Sequence, residues 1–384
     1  MIENRKVLMF YDYFYPGYKA GGPVQSLVNL SLALSEQYEV NIITTAYDLN
    51  SQIWYADINI NKWNKITLPG SEKSINVFYS NHKNLDKKCI NFLIKEVSPH
   101  VIYFNGIFSY RYFLLPLLTL KTVITNYKVI ICPRGMLQKG ALAVKPFKKK
   151  MYLAYLRFID LLNNVSFHAT NEEEENDIKK HFPKNKEIVI APNIPKPPFT
   201  NIYYPLKQPA QLKLVFLSLI TKKKNILLLL QLIQASEKNI ILDIYGPVTD
   251  KRYWQQCESL IAQMPGKVQH KGEVQPAEVQ KVLSQYHALI LLTKGENFGH
   301  ALYESMSVGR PVVTSYFTPW TDLQQQHAGV NVDISSVDNC LKKLQIFAGL
   351  NQTEYNLYCN GAHQAALQYY QNLNAEERYR ELFG

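Results

Sequence analysis

The chain has 384 residues, a hydrophobic content of 47% and a formal net charge of +11 at pH 7. This length predicts about two domains, and this hydrophobic content excludes a mainly disordered chain. The positive charge favours an anionic partner such as a nucleotide or a phospholipid surface. No nucleic-acid-binding motif accompanies the charge, so nucleic acid is not an expected partner.

Cysteine usage and apolar patterning indicate the compartment. The five cysteines form no C-x-x-C pair, which argues against a disulfide framework and against a structural zinc site. The N-terminus leads directly into a strand pattern without the apolar region of a signal peptide. The most apolar later stretch, YFLLPLLTL, is interrupted by Pro116 and is shorter than the ~20 residues that span a bilayer. These features predict a cytoplasmic protein, soluble or peripheral on the inner face of the membrane.

In the first half of the chain, short β-rich segments alternate with longer helical patterns. This alternation predicts parallel strands joined by helical crossovers. We predict strands at 6–12, 39–47, 75–80, 100–106, 128–135, 165–170 and 187–193. A stretch dense in proline follows at 191–211. Because proline fixes φ and lacks an N–H donor, this stretch predicts a stiff extended connector, and we place the domain boundary within it.

After the connector the alternation restarts. We predict strands at 213–220, 239–246, 268–274, 288–294 and 311–316, and a final helix over 360–383. The fold class is therefore α/β. We predict three parts: an N-terminal Rossmann-like domain at 1–195, a C-terminal Rossmann-like domain at 196–362, and a helical segment at 363–384 that packs toward the N-terminal domain. Open α/β sheets bind ligands at the carboxyl ends of their strands, so chemical motifs are expected there.

One motif of this kind is TKGENFGHALYESMSVGRPVVTS, which follows a buried-strand pattern and enters a helix. Its turn would present the backbone N–H groups of Phe298, Gly299 and His300 at a helix N-terminus, where a phosphate or a hydroxyl-rich ligand binds well. Glu296 and Glu304, eight positions apart, suit adjacent hydroxyl groups such as those of a sugar and a ribose. The alternative is that Glu296 stabilises the helix dipole and Glu304 is a solvated helix residue.

The stretch GENFGHALYESMSVGRPVV resembles the E-x7-E signature of the GT4-type retaining glycosyltransferases, which have the GT-B fold. Further similar segments follow the family's order: a glycine-rich loop with Gly21 and Gly22, then CPRGML, FHATNEEEENDI and LDIYGPVTDKRYW. The resemblance covers most of the chain. It implies two Rossmann-like domains that face a central cleft, with the donor site in the C-terminal domain.

The resemblance implies transfer of a sugar from a nucleotide-sugar donor to a saccharide acceptor, free or lipid-linked, with retention of configuration, in the synthesis of a cell-surface or other glycan. It implies that Glu296 contacts the donor sugar, that Glu304 holds the nucleotide ribose, and that Gly21 and Gly22 face donor phosphates and acceptor. No cofactor and no obligatory metal are expected. Two rivals stay open: a degenerate binder of sugar nucleotides or glycans, and another GT-B enzyme such as a nucleotide-sugar epimerase.

One departure from the family pattern concerns the donor diphosphate. The family has an arginine and, about five residues later, a lysine that neutralise it; Lys224 matches the lysine, but Leu219 occupies the arginine position. Leucine cannot bind an oxyanion, and the bidentate fork of arginine is lost. Lys222 or Lys223 is the candidate substitute as a point charge. The alternative is that these lysines belong to a solvated loop.

Three further features have two interpretations each. Asn105, where many relatives carry a histidine, is an acceptor contact or a turn-forming residue before Gly106. Arg134 contacts phosphate or acceptor, or it forms a structural salt bridge. The basic and aromatic helix predicted at 145–162 lies on an anionic membrane surface, or it is a core helix with a solvated basic end.

Overall fold

The computed structural model describes residues 5–81, 83–121, 127–159, 162, 164–185 and 187–384. It divides into two compact units, Met1–Ile194 together with Asn374–Gly384, and Pro195–Leu373. Each unit contains one mostly parallel sheet with helical crossovers, which confirms the predicted α/β class.

The first unit is built on an eight-stranded sheet. Its strands are β1 (Lys6–Phe10), β2 (Glu39–Thr45), β3 (Trp63–Thr67), β4 (Ser74–Ser80), β5 (Val101–Asn105), β6 (Lys128–Cys132), β7 (Ser166–Ala169) and β8 (Ile188–Ile190). Their order is β3-β4-β2-β1-β5-β6-β7-β8, and only the pair β3 and β4 is antiparallel. Each of the seven predicted segments overlaps one of these strands. Edge strand β3 was not predicted, because only one of its five residues is fully buried and its apolar pattern is weak.

Helices cover both faces of this sheet, and β1 is accordingly a continuous buried apolar run. The helices are α1 (Gly22–Leu34), α2 (Lys87–Val97), a π-helical turn (Tyr110–Leu114) that continues into α3 (Leu115–Leu120), α4 (Lys139–Leu142), α5 (Pro146–Phe158) and α6 (Glu172–His181). Side chains cap α2 and α6 at the N-terminus: Asp86 accepts a bond from the backbone N–H of Cys89, and Asn171 accepts one from the backbone N–H of Glu174.

The second unit is built on a six-stranded, all-parallel sheet. Its strands are β9 (Gln211–Leu217), β10 (Asn239–Tyr245), β11 (Val268–Gly272), β12 (Ala288–Leu291), β13 (Val312–Ser315) and β14 (Gly329–Val332). Their order is β11-β10-β9-β12-β13-β14, so the chain direction across the sheet reverses between β9 and β12. The five predicted segments each overlap a strand. Strand β14 was missed because its sequence, GVNV, contains only two apolar side chains, separated by Asn331.

The helices of the second unit follow its strands. They are a 3₁₀ turn (Lys222–Lys224), α7 (Ile226–Ala235), α8 (Lys251–Ile261), α9 (Val279–Leu283), α10 (His300–Ser307), α11 (Val337–Gly349) and α12 (Gln352–Gln371). No helix within the described ranges is long and apolar enough to cross a membrane.

The C-terminal segment differs from the prediction of one helix over 360–383. Helix α12 ends at Gln371, and a separate helix α13 (Ala375–Phe383) follows a turn in which Asn374 has φ 40°. Helix α12 belongs to the second unit and α13 to the first, so only residues from 374 onward leave the second unit, rather than all of 363–384. The α13 residue Tyr379 donates its hydroxyl to the carbonyl of Pro192 at 2.8 Å, within the first unit.

Candidate functional site

The loops that follow β9 and β12 meet at the carboxyl end of the second sheet. These strands are neighbours at the point where the strand order reverses, which is where open α/β sheets place their ligands. The backbone N–H of Lys294 donates to the carbonyl of Lys223 at 2.8 Å, and the hydroxyl of Thr293 donates to the same oxygen at 3.4 Å. The two loops are therefore joined by one backbone hydrogen bond and by the hydroxyl of Thr293.

This arrangement brings Lys224 and Glu296 into contact. The Nζ of Lys224 donates to Oε1 of Glu296, and the side chains are 14% and 12% exposed. The backbone N–H of Glu296 donates to the carbonyl of Phe317 at 2.9 Å, which fixes the loop. An ion pair so far removed from water is costly to break by removing one partner, because the remaining charge is left without compensation. The site thus offers a cation and a carboxylate side by side.

Helix α10 begins at His300, four positions after Glu296. Its N-cap, Gly299, has φ 80°, and a Cβ there would come within 2.8 Å of Leu302 Cδ1, so the turn favours glycine. The side chain of Phe298 is buried and lies against the rings of Trp320 and Tyr369, with centroids 5.6 and 5.4 Å away. Because this ring is buried, the predicted ligand contact of Phe298 would have to be made by its backbone, and it stays a prediction.

Aromatic side chains near Phe298 also hold the turn before α10 in place. Trp320 donates its indole N–H to the carbonyl of Phe298 at 2.6 Å, and the ring of His300 lies 4.8 Å from that of Phe298. His300 is half-buried and is the first residue of α10. The segment after β13 that contains Trp320 therefore supports the loop that carries Glu296.

Glu304 lies in the middle of α10 and is half-buried, which disfavours the interpretation of a solvated helix residue. Burial raises the pKa of its carboxyl to about 7, and the nearby charge of Lys196 opposes this rise. The hydroxyl of Tyr303 donates to the carbonyl of Lys196 at 2.9 Å, so the start of the connector packs along α10. A carboxyl with this pKa changes charge near neutral pH.

The residues between β9 and α7 occupy different environments. Lys222 is exposed, so the solvated-loop interpretation holds for it, whereas Lys223 and Leu219 are half-buried. Gly246, at the end of β10, approaches the same loop so closely that a Cβ would overlap the carbonyl of Ser218. Lys224 contacts Glu296 through its Nζ.

In the first unit, Gly21 and Gly22 form the start of α1. Gly21 is the N-cap with φ 74°. The loop before it is held by Asp48, whose carboxylate accepts bonds from the backbone N–H groups of Tyr18 at 2.9 Å and Lys19 at 3.2 Å. Asp48 was not predicted, because it lies outside any motif and 30 positions from the loop.

Asn105 and Arg134 come together in the interior of the first unit. The Nε of Arg134 donates to Oδ1 of Asn105 at 2.6 Å, and its two Nη atoms donate to Oδ1 of Asn193 at 2.5 Å and to the hydroxyl of Tyr103 at 3.0 Å. Both residues are buried. This geometry favours a structural role for Arg134 over contact with phosphate or acceptor. The role rests on hydrogen bonds to neutral groups instead of the expected salt bridge, and Asn105 is one of the hydrogen-bond acceptors.

A hydrogen-bond chain extends from this arginine. The hydroxyl of Tyr103 pairs with Nδ1 of His168 at 2.9 Å, and Nε2 of His168 pairs with the carbonyl of Ala191 at 2.7 Å. Burial, together with the charge of Arg134, lowers the pKa of His168 to about 3, so its ring is neutral at pH 7. The chain is a polar core network.

A carboxylate that the sequence did not single out lies at the reversal point of the first sheet. Asp12 follows β1, the neighbour of β5, and its Oδ1 accepts a bond from Ser109 Oγ at 2.8 Å. Burial raises the pKa of Asp12. Its carbonyl accepts bonds from the hydroxyl of Thr45 at 2.7 Å and from that of Thr44 at 3.2 Å, which fixes its position. The only sequence signal was its place at a strand end.

Among the described residues, no group of three or more His, Cys, Asp and Glu is placed to hold a metal ion. All five cysteines are free thiols, and four of them are buried.

Three solved structures match the chain almost end to end. Sucrose-phosphate synthase from Thermosynechococcus elongatus has a TM-score of 0.72 and 14% identity over 99% of both chains. TarM of S. aureus, solved with fondaparinux, alpha-GlcNAc-glycerol and UDP, has a TM-score of 0.70 and 13% identity over 99% of this chain and 100% of its own. Anabaena HepE, solved with UDP and glucose, has a TM-score of 0.69 and 12% identity over 98% and 99%. The chain therefore has the GT-B fold.

Residues 205–358 match the family described as Glycosyl transferases group 1. This range contains both loops of the candidate site. This part of the second unit thus matches a glycosyltransferase family, in agreement with the GT4-type resemblance of the sequence. No curated protein matches it in sequence.

Proposed function

We propose that this glycosyltransferase moves a sugar from a nucleotide-sugar donor to a saccharide acceptor, with retention of configuration, in glycan synthesis. The observation that carries the proposal is the Lys224 and Glu296 pair at the carboxyl end of the second sheet. Departure of a nucleoside diphosphate develops negative charge, which Lys224 and the N-terminus of α10 stabilise. The sugar left behind becomes oxocarbenium-like, and Glu296 stabilises and positions it. The UDP in the HepE and TarM structures supports a nucleotide-sugar donor.

Further residues of the second unit bind the donor in this proposal. The backbone N–H groups of Phe298, Gly299 and His300 bind donor oxygens at the start of α10. Glu304 accepts hydroxyl groups of the nucleotide ribose. Lys223 contributes positive charge near the diphosphate, and its backbone carbonyl joins the two loops. In this proposal no metal is required, because the charge on the leaving group is met by Lys224 and the helix terminus.

In the first unit, we propose that the ligand lies close to the backbone of Gly21 and Gly22. We propose that Asp12 binds a hydroxyl group of the acceptor. Gly21 has no Cβ and adopts a positive φ, so a ligand can come close to its backbone. The carboxylate of Asp12 is fixed at the carboxyl end of β1, where an α/β sheet places a ligand. The free cysteines support a reducing compartment, and we propose the cytoplasm.

Acceptor-dependent release of nucleoside diphosphate tests this function. The protein is incubated with a panel of nucleotide sugars, with EDTA present, and with or without a mixture of free oligosaccharides and extracted glycolipids. A transferase releases diphosphate at least about tenfold faster with acceptor, because the chemistry is completed only on an acceptor hydroxyl. Change of the donor sugar without acceptor would indicate an epimerase. Binding without any turnover would indicate a degenerate sugar-nucleotide binder.

The position of Leu219 predicts a gain of donor affinity on substitution. Leu219→Arg is expected to strengthen nucleotide-sugar binding by about tenfold, because a guanidinium adds charge-assisted bonds to the diphosphate. Leu219→Gln, similar in length to arginine's stem but neutral, is the matched control and is expected to bind like the wild type. Calorimetric titration measures both. Equal affinity in the wild type and Leu219→Arg would place the diphosphate away from this loop.

The raised pKa of Glu304 predicts a pH dependence of donor binding. Ribose hydroxyls donate to the ionised carboxyl, so affinity falls as the pH drops below about 7. Between pH 8 and pH 6 the affinity for a nucleotide sugar is expected to fall by about tenfold, as expected for one proton taken up near pH 7. A nucleotide sugar is the right probe because, unlike a free diphosphate, it does not itself titrate in this range. Glu304→Gln should flatten the profile; an unchanged profile in this variant would remove Glu304 from the ribose contact.

A further inference from the structure

Helix α5 presents an exposed apolar stripe on its outer face. Phe147, Met151, Tyr155 and Phe158 are 73%, 57%, 44% and 85% exposed, respectively. Their spacing of four, four and three positions places them on one side of an α-helix. Val144, just before the helix, is also exposed. A surface of this kind, with two phenylalanines and a methionine in contact with water, indicates an interaction site rather than scattered surface residues.

The opposite face of α5 anchors the helix in the first unit. Leu153 and Leu156 are buried, and the hydroxyl of Tyr152 donates to the carbonyl of Ile107 at 2.8 Å. Lys149 donates to the carbonyl of Ala141 at 2.6 Å and lies over the ring of Phe108. Because these contacts fix the rotation of the helix, it cannot bury the outer stripe by rolling. The sequence predicted a membrane-binding helix over 145–162. Residues 160 and 161 lie outside the described residues, so this prediction is considered for residues 145–159.

Positive charge surrounds the stripe. At 3.6 residues per turn, Lys148 falls beside one edge of it, and Lys150 and Arg157 fall beside the other. All three are exposed. The segment 139–159 contains no acidic residue and six basic ones: Lys139, Lys145, Lys148, Lys149, Lys150 and Arg157.

These features distinguish a lipid surface from a second copy of the chain. A helix lying in a membrane interface has aromatic and aliphatic residues toward the acyl chains and lysine or arginine at the level of the anionic headgroups, as the stripe and its edges have here. A second copy would bring the same basic edges and a net charge of +11 against them. At 13 residues, or about 20 Å, α5 has the size for a contact in the interface plane.

We propose that the outer face of α5 docks the first unit on the surface of an anionic phospholipid bilayer. The aromatic rings enter the boundary between headgroups and acyl chains, and the flanking lysines and Arg157 bind lipid phosphates. One short helix gives reversible binding, so the protein exchanges between the membrane and solution. Docking goes beyond the transfer chemistry and does not depend on it.

Flotation with vesicles tests this proposal on the full chain. Vesicles of equal parts phosphatidylglycerol and phosphatidylcholine should bind the protein at least about tenfold more strongly than phosphatidylcholine alone, and added salt should weaken this binding. The double variant Phe147→Ser, Phe158→Ser should lower binding by at least about tenfold, since the two most exposed rings are lost. Lys148→Gln with Lys150→Gln should lower binding to the anionic vesicles only.

Helix α2 provides matched controls in the same unit. Phe92 is 63% exposed there, and Lys87 and Lys88 are exposed. Phe92→Ser, and Lys87→Gln with Lys88→Gln, should bind vesicles within about twofold of the wild type. Unchanged circular dichroism and thermal unfolding show that each variant is folded, as expected for exposed positions.

The proposal would be overturned by equal or absent binding to both kinds of vesicle, by α5 variants that bind like the wild type, or by α2 controls that lose binding to the same extent as the α5 variants. Sedimentation velocity is run in parallel without lipid. A dimer of the wild type that Phe147→Ser with Phe158→Ser converts to a monomer would show that a second copy covers the stripe, and the membrane proposal would fail.

Discussion

Replacing Glu296 with Gln is expected to lower the turnover number by at least about 100-fold, the usual effect of removing one preorganised group that stabilises transition-state charge. Gln keeps the size of the side chain but removes the negative charge that faces the oxocarbenium-like sugar. The binding constant for the nucleotide is expected to change much less, because Glu296 acts on the sugar rather than on the diphosphate. Turnover is measured as acceptor-dependent release of nucleoside diphosphate, and binding by calorimetry.

The matched control is Glu278→Gln, at an exposed glutamate of the second unit, which should keep wild-type turnover. Thermal unfolding checks that Glu296→Gln is folded, since Lys224 loses its ionic partner in this variant. A folded Glu296→Gln protein with wild-type turnover would contradict the assignment of this carboxylate to the reaction.

Replacing Lys224 with Gln is expected to weaken nucleotide-sugar binding by about 10- to 100-fold. A charge-assisted hydrogen bond to a phosphate contributes about 1.5–3 kcal/mol, and each 1.4 kcal/mol is a factor of ten. Turnover should fall as well, because the leaving diphosphate loses its main cation. Lys222→Gln is the control within the same 3₁₀ turn: Lys222 is exposed, and its loss should change affinity by less than about threefold.

The same pair can be tested by a double-mutant cycle on stability. Either single change leaves one charge in a mostly buried site, so both should lower the free energy of unfolding. The double variant Lys224→Gln, Glu296→Gln removes both charges and should be more stable than the sum of the single effects predicts, by roughly 0.5–3 kcal/mol. It should nevertheless be inactive. Additive effects on unfolding would show that the two side chains do not interact in solution.

Much of the fold could be predicted because the sequence patterns that indicate strands and connectors lie within short continuous segments. Buried runs such as KVLMF and ALIL indicate central strands of a parallel sheet, and the density of prolines after residue 191 indicates a connector. Edge strand β3 and the short strand β14 were missed because neither has a clear apolar period. The break between α12 and α13 was missed because Asn374 adopts its positive φ without the glycine that usually marks such a turn.

The site was predictable only in part. Its loop and its two glutamates could be identified from one continuous motif. The contact between Lys224 and Glu296 could not, because it joins positions 72 apart and depends on β9 and β12 being neighbours in the sheet. The bonds of Arg134 to Tyr103 and Asn193 could not be predicted for the same reason, because these residues lie on strand β5 and in the loops after β6 and β8, which meet only in the folded unit.

The most direct test of the central claim is a calorimetric titration of the wild type and Lys224→Gln with sugars activated by uridine, guanosine, adenosine and thymidine diphosphate. We expect saturable binding of one nucleotide class to the wild type, weakened at least about tenfold in Lys224→Gln. Saturable binding that Lys224→Gln leaves unchanged, or no binding of any nucleotide sugar to the folded wild type, would contradict the assignment of the donor site to the Lys224 and Glu296 pair.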